Sequence, residues 1–285
     1  MAIFFALITL LGWGTGDVFI TISSRKIGHI YSVFWGFIIS LFFVSLYIPF
    51  AGPIASYPIF FLAILLNLIQ LVGALTYFKS LEIGNASLSG AIAGSFPLLS
   101  VIFALTVFKE IITSVQLGGI ICILVGIILS SVNFGELKKY QMKSLFSNRS
   151  VNYALLTLVF WGIYFAFARI TVQGIGWFWA VYPVYVLPLF FLFSPAIRKN
   201  AVEKLKKGKA FGALLAYALL ILTGNFTYNA GLLHGFTSVV APIAGSSPIV
   251  FVALARIIFK EKLNSQQKAG ILFSLAGIIF ISFSH

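Results

Sequence analysis

The chain has 285 residues, of which 60% are hydrophobic and only 9% are charged, and its mean hydropathy is +1.07. Soluble domains average about 25% charged residues, so this composition excludes an ordinary soluble enzyme, a disordered chain and a secreted disulfide scaffold. The formal net charge is +13, but the Lys and Arg residues fall between apolar runs, where lipid headgroups account for them. We therefore expect a polytopic membrane protein with no nucleic-acid partner.

Ten apolar runs have the length of a membrane-spanning helix, which needs about 20 residues. They are residues 2–22, 30–50, 57–79, 85–108, 115–133, 152–171, 176–195, 210–232, 238–259 and 266–284. The first run lacks a basic leader and contains Asp17, so it is interpreted as span 1 and not as a signal peptide. The sequence thus predicts an all-α integral membrane protein with ten transmembrane helices.

The cationic residues are distributed unevenly between the predicted loops. All Lys and Arg residues except Lys109 and Arg169 lie on the side of the membrane reached after spans 1, 3, 5, 7 and 9. Cationic loops stay in the cytoplasm. We therefore predict that both termini face outward, in what we expect to be the plasma (inner) membrane.

The second half of the sequence repeats the first. Residues 73–130 align with 224–281 at one constant shift, so that Tyr77 matches Tyr228 and Pro97 matches Pro248. Trp13-Gly14 similarly matches Trp161-Gly162. Shared composition alone does not explain matched Pro, Gly and Gln residues at one shift. The predicted organisation is a first repeat over 1–135, a basic cytoplasmic linker over 136–150 and a second repeat over 151–285.

Each predicted repeat contains five spans, which is an odd number. Two consecutive copies must therefore cross the membrane in opposite orientations. Inverted repeats are typical of secondary transporters, whose substrate site lies near the midplane between the repeats. If the two halves exchange conformations, the cavity opens to the other side, which predicts alternating access.

A motif ends both halves. The first copy has Glu110, Gln116, Gly119 and Gly126, and the second has Glu261, Gln267, Gly270 and Gly277. With the Pro-containing helix before each copy and the Trp-Gly that opens each half, the chain resembles the EamA-type branch of the drug/metabolite transporter (DMT) superfamily. The resemblance implies two inverted five-helix repeats around a central cavity, and export or exchange of small metabolites such as amino acids.

Asp17 is the only carboxylate well inside a predicted span. Intramembrane charges cost several kcal/mol and usually face a cavity or a partner. Trp13, Asp17 and Thr21 share one helix face. In one interpretation Asp17 binds a cationic group or carries a proton, which would couple transport to protons. In the other it lies near the cytoplasmic interface and pairs with Arg25 or Lys26.

Arg169 lies in span 6, on a stripe with Trp161 and Phe165 that repeats the stripe in span 1. An arginine there could bind a substrate carboxylate. Alternatively, its side chain extends to the lipid headgroups from the outer end of the span. Together, Asp17 and Arg169 would suit a zwitterion such as an amino acid.

Further polar and aromatic residues complete the candidate cavity lining. Buried amides either line a wet cavity or bond to a neighbouring helix, and Tyr77 and Tyr228 occupy matching positions. The additional candidates are Asn67, Gln70, Tyr77, Ser95, Trp161, Tyr164, Asn225, Tyr228 and Ser246. Pro97 and Pro248 are predicted to be paired hinges, because they free backbone carbonyls inside the membrane. The alternative for both prolines is tight packing with a harmless kink.

Several other classes of function lack their sequence signals. His29, His234 and His285 are far apart and have no metal-ligand spacing, and no Walker motif is present. We expect no cofactor, no metal and no enzymatic activity. The predicted function is secondary transport of a small polar or zwitterionic metabolite by a monomer in contact with membrane lipid. The alternatives are a passive channel or facilitator, a flippase for a lipid-linked substrate, a membrane enzyme, and a structural or receptor protein.

Overall fold

The computed structural model describes residues 1–84, 86–131, 148–258 and 265–283, and within these ranges the chain is helical and contains no strand. Most of the linker predicted over 136–150, and Glu261 of the second motif, lie outside the described residues. The helices are α1 (Ala2–Ile27), α2 (His29–Ser45), α3 (Tyr57–Ile83), α4 (Ala86–Gly94), α5 (Pro97–Thr106), α6 (Ser114–Ser131), α7 (Arg149–Val186), α8 (Pro195–Gly208), α9 (Phe211–His234), α10 (Thr237–Gly245), α11 (Ser247–Ile258) and α12 (Ser265–Phe283).

Seven helical stretches in the described ranges are long and apolar enough to cross a membrane. They are Ala2–Ile27, Tyr57–Ile83, Leu88–Thr106, Arg149–Phe193, Phe211–His234, Thr237–Leu254 and Ser265–Phe283. Two further apolar helices, His29–Ser45 and Ser114–Leu129, are shorter. The all-helical membrane architecture is thus confirmed, whereas helix length alone does not establish the predicted count of ten spans.

Two predicted spans are interrupted near the middle. The run predicted over 85–108 divides into α4 and α5, and the run predicted over 238–259 divides into α10 and α11. Pro97 and Pro248 stand just after the two breaks. A proline has no amide hydrogen to donate and its ring collides with the preceding turn, so the first helix ends there and a second begins.

Matching glycines form the first turn of each half of the chain. Gly28 separates α1 from α2 with φ 85° and ψ 155°. Gly176 interrupts α7 with φ 81° and ψ 163°. This backbone region favours glycine, which lacks the Cβ atom that would clash. The runs predicted over 152–171 and 176–195 therefore meet at a non-helical glycine, and the second run continues past α7 into the 3₁₀ helix Leu187–Phe193.

Reciprocal contacts join the two halves. The indole of Trp13 packs on Gly224 of α9, and the indole of Trp161 packs on Gly73 of α3, so closely that a Cβ atom at either glycine would overlap the ring. Trp13 and Trp161 match each other in the sequence repeat, as do Gly73 and Gly224. Small residues allow this close helix packing in membranes. The same Trp–Gly contact therefore packs α1 against α9 and α7 against α3.

Threonine pairs repeat the same arrangement one helical turn away. The hydroxyls of Thr9 and Thr227 lie 2.9 Å apart between α1 and α9. The hydroxyls of Thr76 and Thr157 lie 2.8 Å apart between α3 and α7. Thr9 also donates to the Gly224 carbonyl oxygen at 3.2 Å. Because these hydroxyls also lie within hydrogen-bond distance of carbonyl oxygens of their own helices, the interhelical contacts join the helices without leaving a hydroxyl unpaired.

The broken helices also contact each other reciprocally. The Pro97 ring packs against Gly245, and the Pro248 ring packs against Gly94. Large apolar side chains such as Phe61 and Phe42 are exposed on the outside of the bundle, where an apolar solvent would cover them. The inner faces of α1, α3, α4, α7, α9 and α11 enclose the centre.

Candidate functional site

A central cavity of about 50 Å³ lies between α1, α3, α4, α7, α9 and α11. Residues of both halves line it, and its volume is below the range of typical small-molecule sites, about 300–1,000 Å³. The predicted site residues that line it are Trp13, Asp17, Gln70, Tyr77, Trp161, Asn225 and Pro248. Periodicity and the repeat pattern therefore identified a set of residues that share one cavity.

Asp17 contacts Tyr77 across the cavity wall. The Tyr77 hydroxyl donates to Oδ2 of Asp17 at 3.0 Å, and the Tyr77 side chain is itself 2% exposed. Arg25, the alternative partner, donates instead from Nε to the Leu81 carbonyl oxygen at 3.4 Å. No ion pair of the described residues includes Asp17. Its carboxylate is thus held by a neutral donor at the cavity.

A second hydrogen-bonded chain fixes the opposite side. The Trp13 indole donates from Nε1 to Oδ1 of Asn225 at 2.9 Å. Asn225 in turn donates from Nδ2 to the Tyr185 hydroxyl at 2.8 Å. Tyr185 is fully buried and was not predicted, because it lies in an aromatic run with no polar pattern around it. Its role is to orient the Asn225 amide.

The two halves contribute different chemistry at matching positions. Asp17 of the first half corresponds to Phe165 of the second, and Gln70 corresponds to Ile221. All four residues line the cavity. Asp17 and Gln70 therefore make one wall polar, whereas the second half places the apolar side chains of Phe165 and Ile221 at the matching positions.

Arg169 does not line the cavity. Its NH1 donates to Oε1 of Glu110 at 2.7 Å, and its guanidinium lies 5.1 Å from the centre of the Phe236 ring. The Glu110 carboxylate also accepts from the backbone N–H of Thr237 at 3.0 Å and from that of Ser238 at 2.9 Å. Neither of the two roles predicted for Arg169 describes this contact, because the sequence offered no partner for it.

The comparisons with known proteins give the family. The EamA-like transporter family model matches residues 1–132 and 148–283. The chain belongs to the EamA-like transporter family. The family prediction made from the two Glu–Gln–Gly motifs is confirmed, and the chain is a membrane transporter of this family.

Relatives of this EamA-like chain are themselves little characterised. An uncharacterised protein of Methanocaldococcus jannaschii, MJ1333.1, is 30% identical over 134 residues, which are 46% of this chain and 94% of that protein. The uncharacterised transporter YyaM of Bacillus subtilis is 30% identical over 100 residues, covering 34% of this chain and only 30% of YyaM. A crystal structure covers 98% of the chain with a TM-score of 0.71 at 14% identity, and this likeness shows the fold alone.

The other predicted site residues of the EamA-like chain lie outside the cavity lining. Asn67 donates from Nδ2 to the carbonyl oxygens of Ala63 at 2.6 Å and Ala180 at 2.8 Å, which joins α3 to α7. Tyr228 is fully buried and stacks on Trp13 with ring centres 5.3 Å apart. The remaining residues outside the lining are Ser95, Tyr164, Ser246 and Pro97. Their positions indicate roles in packing and in the helix breaks.

Ser95 and Ser246 lie at the breaks themselves. The Ser95 carbonyl oxygen accepts from the backbone N–H of Leu98 at 3.0 Å. The Ser246 hydroxyl donates to the Ile243 carbonyl oxygen at 2.6 Å.

Within the described part of the chain, no group of three His, Cys, Asp or Glu residues is placed to hold a metal ion.

Proposed function

We propose that this EamA-like chain is a secondary active transporter that moves a small polar or zwitterionic, amino-acid-like metabolite by alternating access, in export or exchange. The single observation that carries the proposal is a cavity between the two halves that is lined by an intramembrane carboxylate, Asp17. Burying a charge in the membrane is costly, so a site that retains one favours a role in binding over a role in packing.

The proposal includes two inverted repeats of five spans, 1–135 and 151–285, joined by a cytoplasmic linker over 136–150. Support comes from the reciprocal Trp–Gly and Pro–Gly contacts and from the matching dihedral angles of Gly28 and Gly176. A relative that aligns over 94% of its length with 46% of this chain also supports duplication. In this proposal Gly176 separates spans 6 and 7, and the two broken helices are spans 4 and 9.

The proposed orientation has both termini outside, in the plasma (inner) membrane. The helix α8 supports it, because this polar helix carries Arg198, Lys199, Lys204, Lys206 and Lys207 between two apolar stretches. Basic residues in short loops mark the cytoplasmic side. We propose that the chain works as a monomer, since the two halves already complete one cavity.

Counterflow in liposomes tests the transport proposal. Purified protein in vesicles preloaded with an unlabelled amino acid or amine should concentrate the labelled compound transiently, which a passive channel cannot do. Asp17→Asn should lower the initial rate about tenfold or more, because hydrogen bonds to charged groups contribute about 1.5–3 kcal/mol.

The matched control is Glu203→Gln, the same chemical change on an exposed carboxylate that pairs with Lys207 on α8. It should keep the wild-type rate. Flux without any transient accumulation would indicate a channel. Equal rates for wild type and Asp17→Asn would remove Asp17 from the mechanism.

We also propose that Pro97 and Pro248 are hinges for the conformational change. Replacing both with alanine restores an amide hydrogen at each break and should allow the helices to continue. The expected result is a counterflow rate that falls more steeply than the yield of monodisperse protein. A parallel loss of rate and yield would mean that the prolines serve packing alone.

A further inference from the structure

The polar wall of the cavity offers hydrogen-bond acceptors. Oδ2 of Asp17 accepts from Tyr77, which leaves Oδ1 of the carboxylate for a ligand. Gln70 is only 7% exposed, and its Oε1 has no hydrogen-bond partner among the described residues. A buried acceptor without a donor costs free energy. A ligand that donates hydrogen bonds and carries positive charge would satisfy both groups.

The remaining walls are mainly aromatic or apolar, although Asn225 and Ser247 also line the cavity and Nε1 of Trp161 is a buried donor with no hydrogen-bond partner among the described residues. The ring centres of Trp161 and Tyr77 lie 4.9 Å apart, and those of Phe165 and Phe96 lie 4.4 Å apart. Ile221 stands where the first half has Gln70. Aromatic faces attract cations and also cover apolar groups. The cavity thus has one carboxylate, Asp17, surrounded mainly by aromatic side chains.

The cavity lining contains no Lys or Arg residue in the described part of the chain. Arg169, the candidate for binding a substrate carboxylate, is instead paired with Glu110. A carboxylate that entered this cavity would lose its hydration without gaining a cationic partner, which is strongly unfavourable. The indole N–H of Trp161 could donate to such a group, but one neutral donor does not replace a cation, so the lining disfavours the carboxylate of an amino acid.

We infer that the preferred substrate is an organic amine with one protonated amino group and an apolar or aromatic body, and that a carboxylate on the substrate weakens binding. This inference rests on the proposed transport function, and it replaces the zwitterionic substrate class named there by amines without a carboxylate. The ammonium group binds the wall formed by Asp17 and Gln70, and the body packs against Phe165 and Ile221.

Three compounds that share a phenyl ring separate the alternatives: phenethylamine, phenylalanine and 3-phenylpropionate. The readouts are thermal stabilisation of the purified wild-type protein and competition in counterflow, all at one pH near neutrality. Phenethylamine should bind at least about tenfold more tightly than phenylalanine, a difference of about 1.4 kcal/mol. The propionate should not bind.

Variants then test which residues bind the amine. Asp17→Asn should lose phenethylamine binding, and Gln70→Leu should weaken it severalfold, whereas the exposed Glu203→Gln should bind as the wild type does. Size-exclusion chromatography shows which variants fold. The wild-type comparison of the three compounds stands even if a variant does not fold.

The outcomes separate this inference from the transport proposal. Preference for phenylalanine, binding of none of the three compounds, or full binding by Asp17→Asn would overturn the amine inference. Counterflow of phenylalanine at the same or a lower concentration than phenethylamine requires would leave transport intact while removing amine selectivity. Tight binding of phenethylamine without counterflow of any compound would retain the binding site and overturn transport.

Discussion

Replacing Glu110 by alanine is expected to lower the free energy of unfolding by about 3–5 kcal/mol, the usual cost of removing one partner from a buried ion pair. The Glu110 side chain is 2% exposed. It accepts from Arg169 and from two backbone N–H groups at the start of α10. The substitution would leave the guanidinium and both amides without their acceptor.

The measurement is a denaturant or thermal unfolding curve in detergent. A double variant, Glu110→Ala with Arg169→Met, should recover part of the loss because the unpaired charge is gone, as expected for coupled residues. Glu203→Gln serves as the control, since its carboxylate is 57% exposed and the loss of an exposed ion pair should leave the stability nearly unchanged. A Glu110→Ala protein as stable as wild type would contradict the prediction that the contacts of Glu110 with Arg169 and with the start of α10 stabilise the fold.

Adding one methyl group at Gly94 is expected to destabilise the protein by about 1–3 kcal/mol, as overpacking of a filled core does. The new Cβ atom would overlap the ring of Pro248, and a methyl at Gly245 would overlap Pro97 in the same way. The backbone on both sides limits relaxation. Counterflow should fall with stability, because the contact lies where the two broken helices meet.

A second substitution, at Pro248, tests whether the cost of Gly94→Ala comes from the contact with the Pro248 ring. Gly94→Ala combined with Pro248→Ala removes the ring that the methyl group meets, so the unfolding temperature should return toward that of Pro248→Ala alone. Gly118→Ala is the matched control, since a Cβ atom there has no neighbour within 4 Å. Failure of the double variant to recover would mean that the Gly94 cost comes from elsewhere.

Local patterns in the sequence predicted much of the cavity. Trp13, Asp17, Gln70 and Tyr77 were found because helical spacing places them on inward faces, and all four line it. Tyr228 was predicted from its match to Tyr77. It lies instead beneath Trp13 and Phe165, because the two halves differ in the residues around the matched tyrosines.

Long-range contacts could not be predicted in the same way. Glu110 and Arg169 are 59 residues apart, and no periodic pattern connects a helix end to a distant helix. The breaks after Gly94 and Gly245 were signalled by Pro97 and Pro248. The exact helix limits were not, because no local pattern marked Gly176 as the non-helical residue at which the runs predicted over 152–171 and 176–195 meet.

The unequal walls of the cavity have a consequence for how such a chain could arise. If the first half assembled with an identical copy, Asp17 would occupy the place of Phe165, so that two carboxylates would face one small apolar space. Like charges at short range repel strongly when poorly solvated. A single fused polypeptide avoids this conflict, since each half can keep the residue that the other cannot tolerate. After fusion, one half could keep a charged residue in the cavity while the other half kept an apolar residue at the matching position.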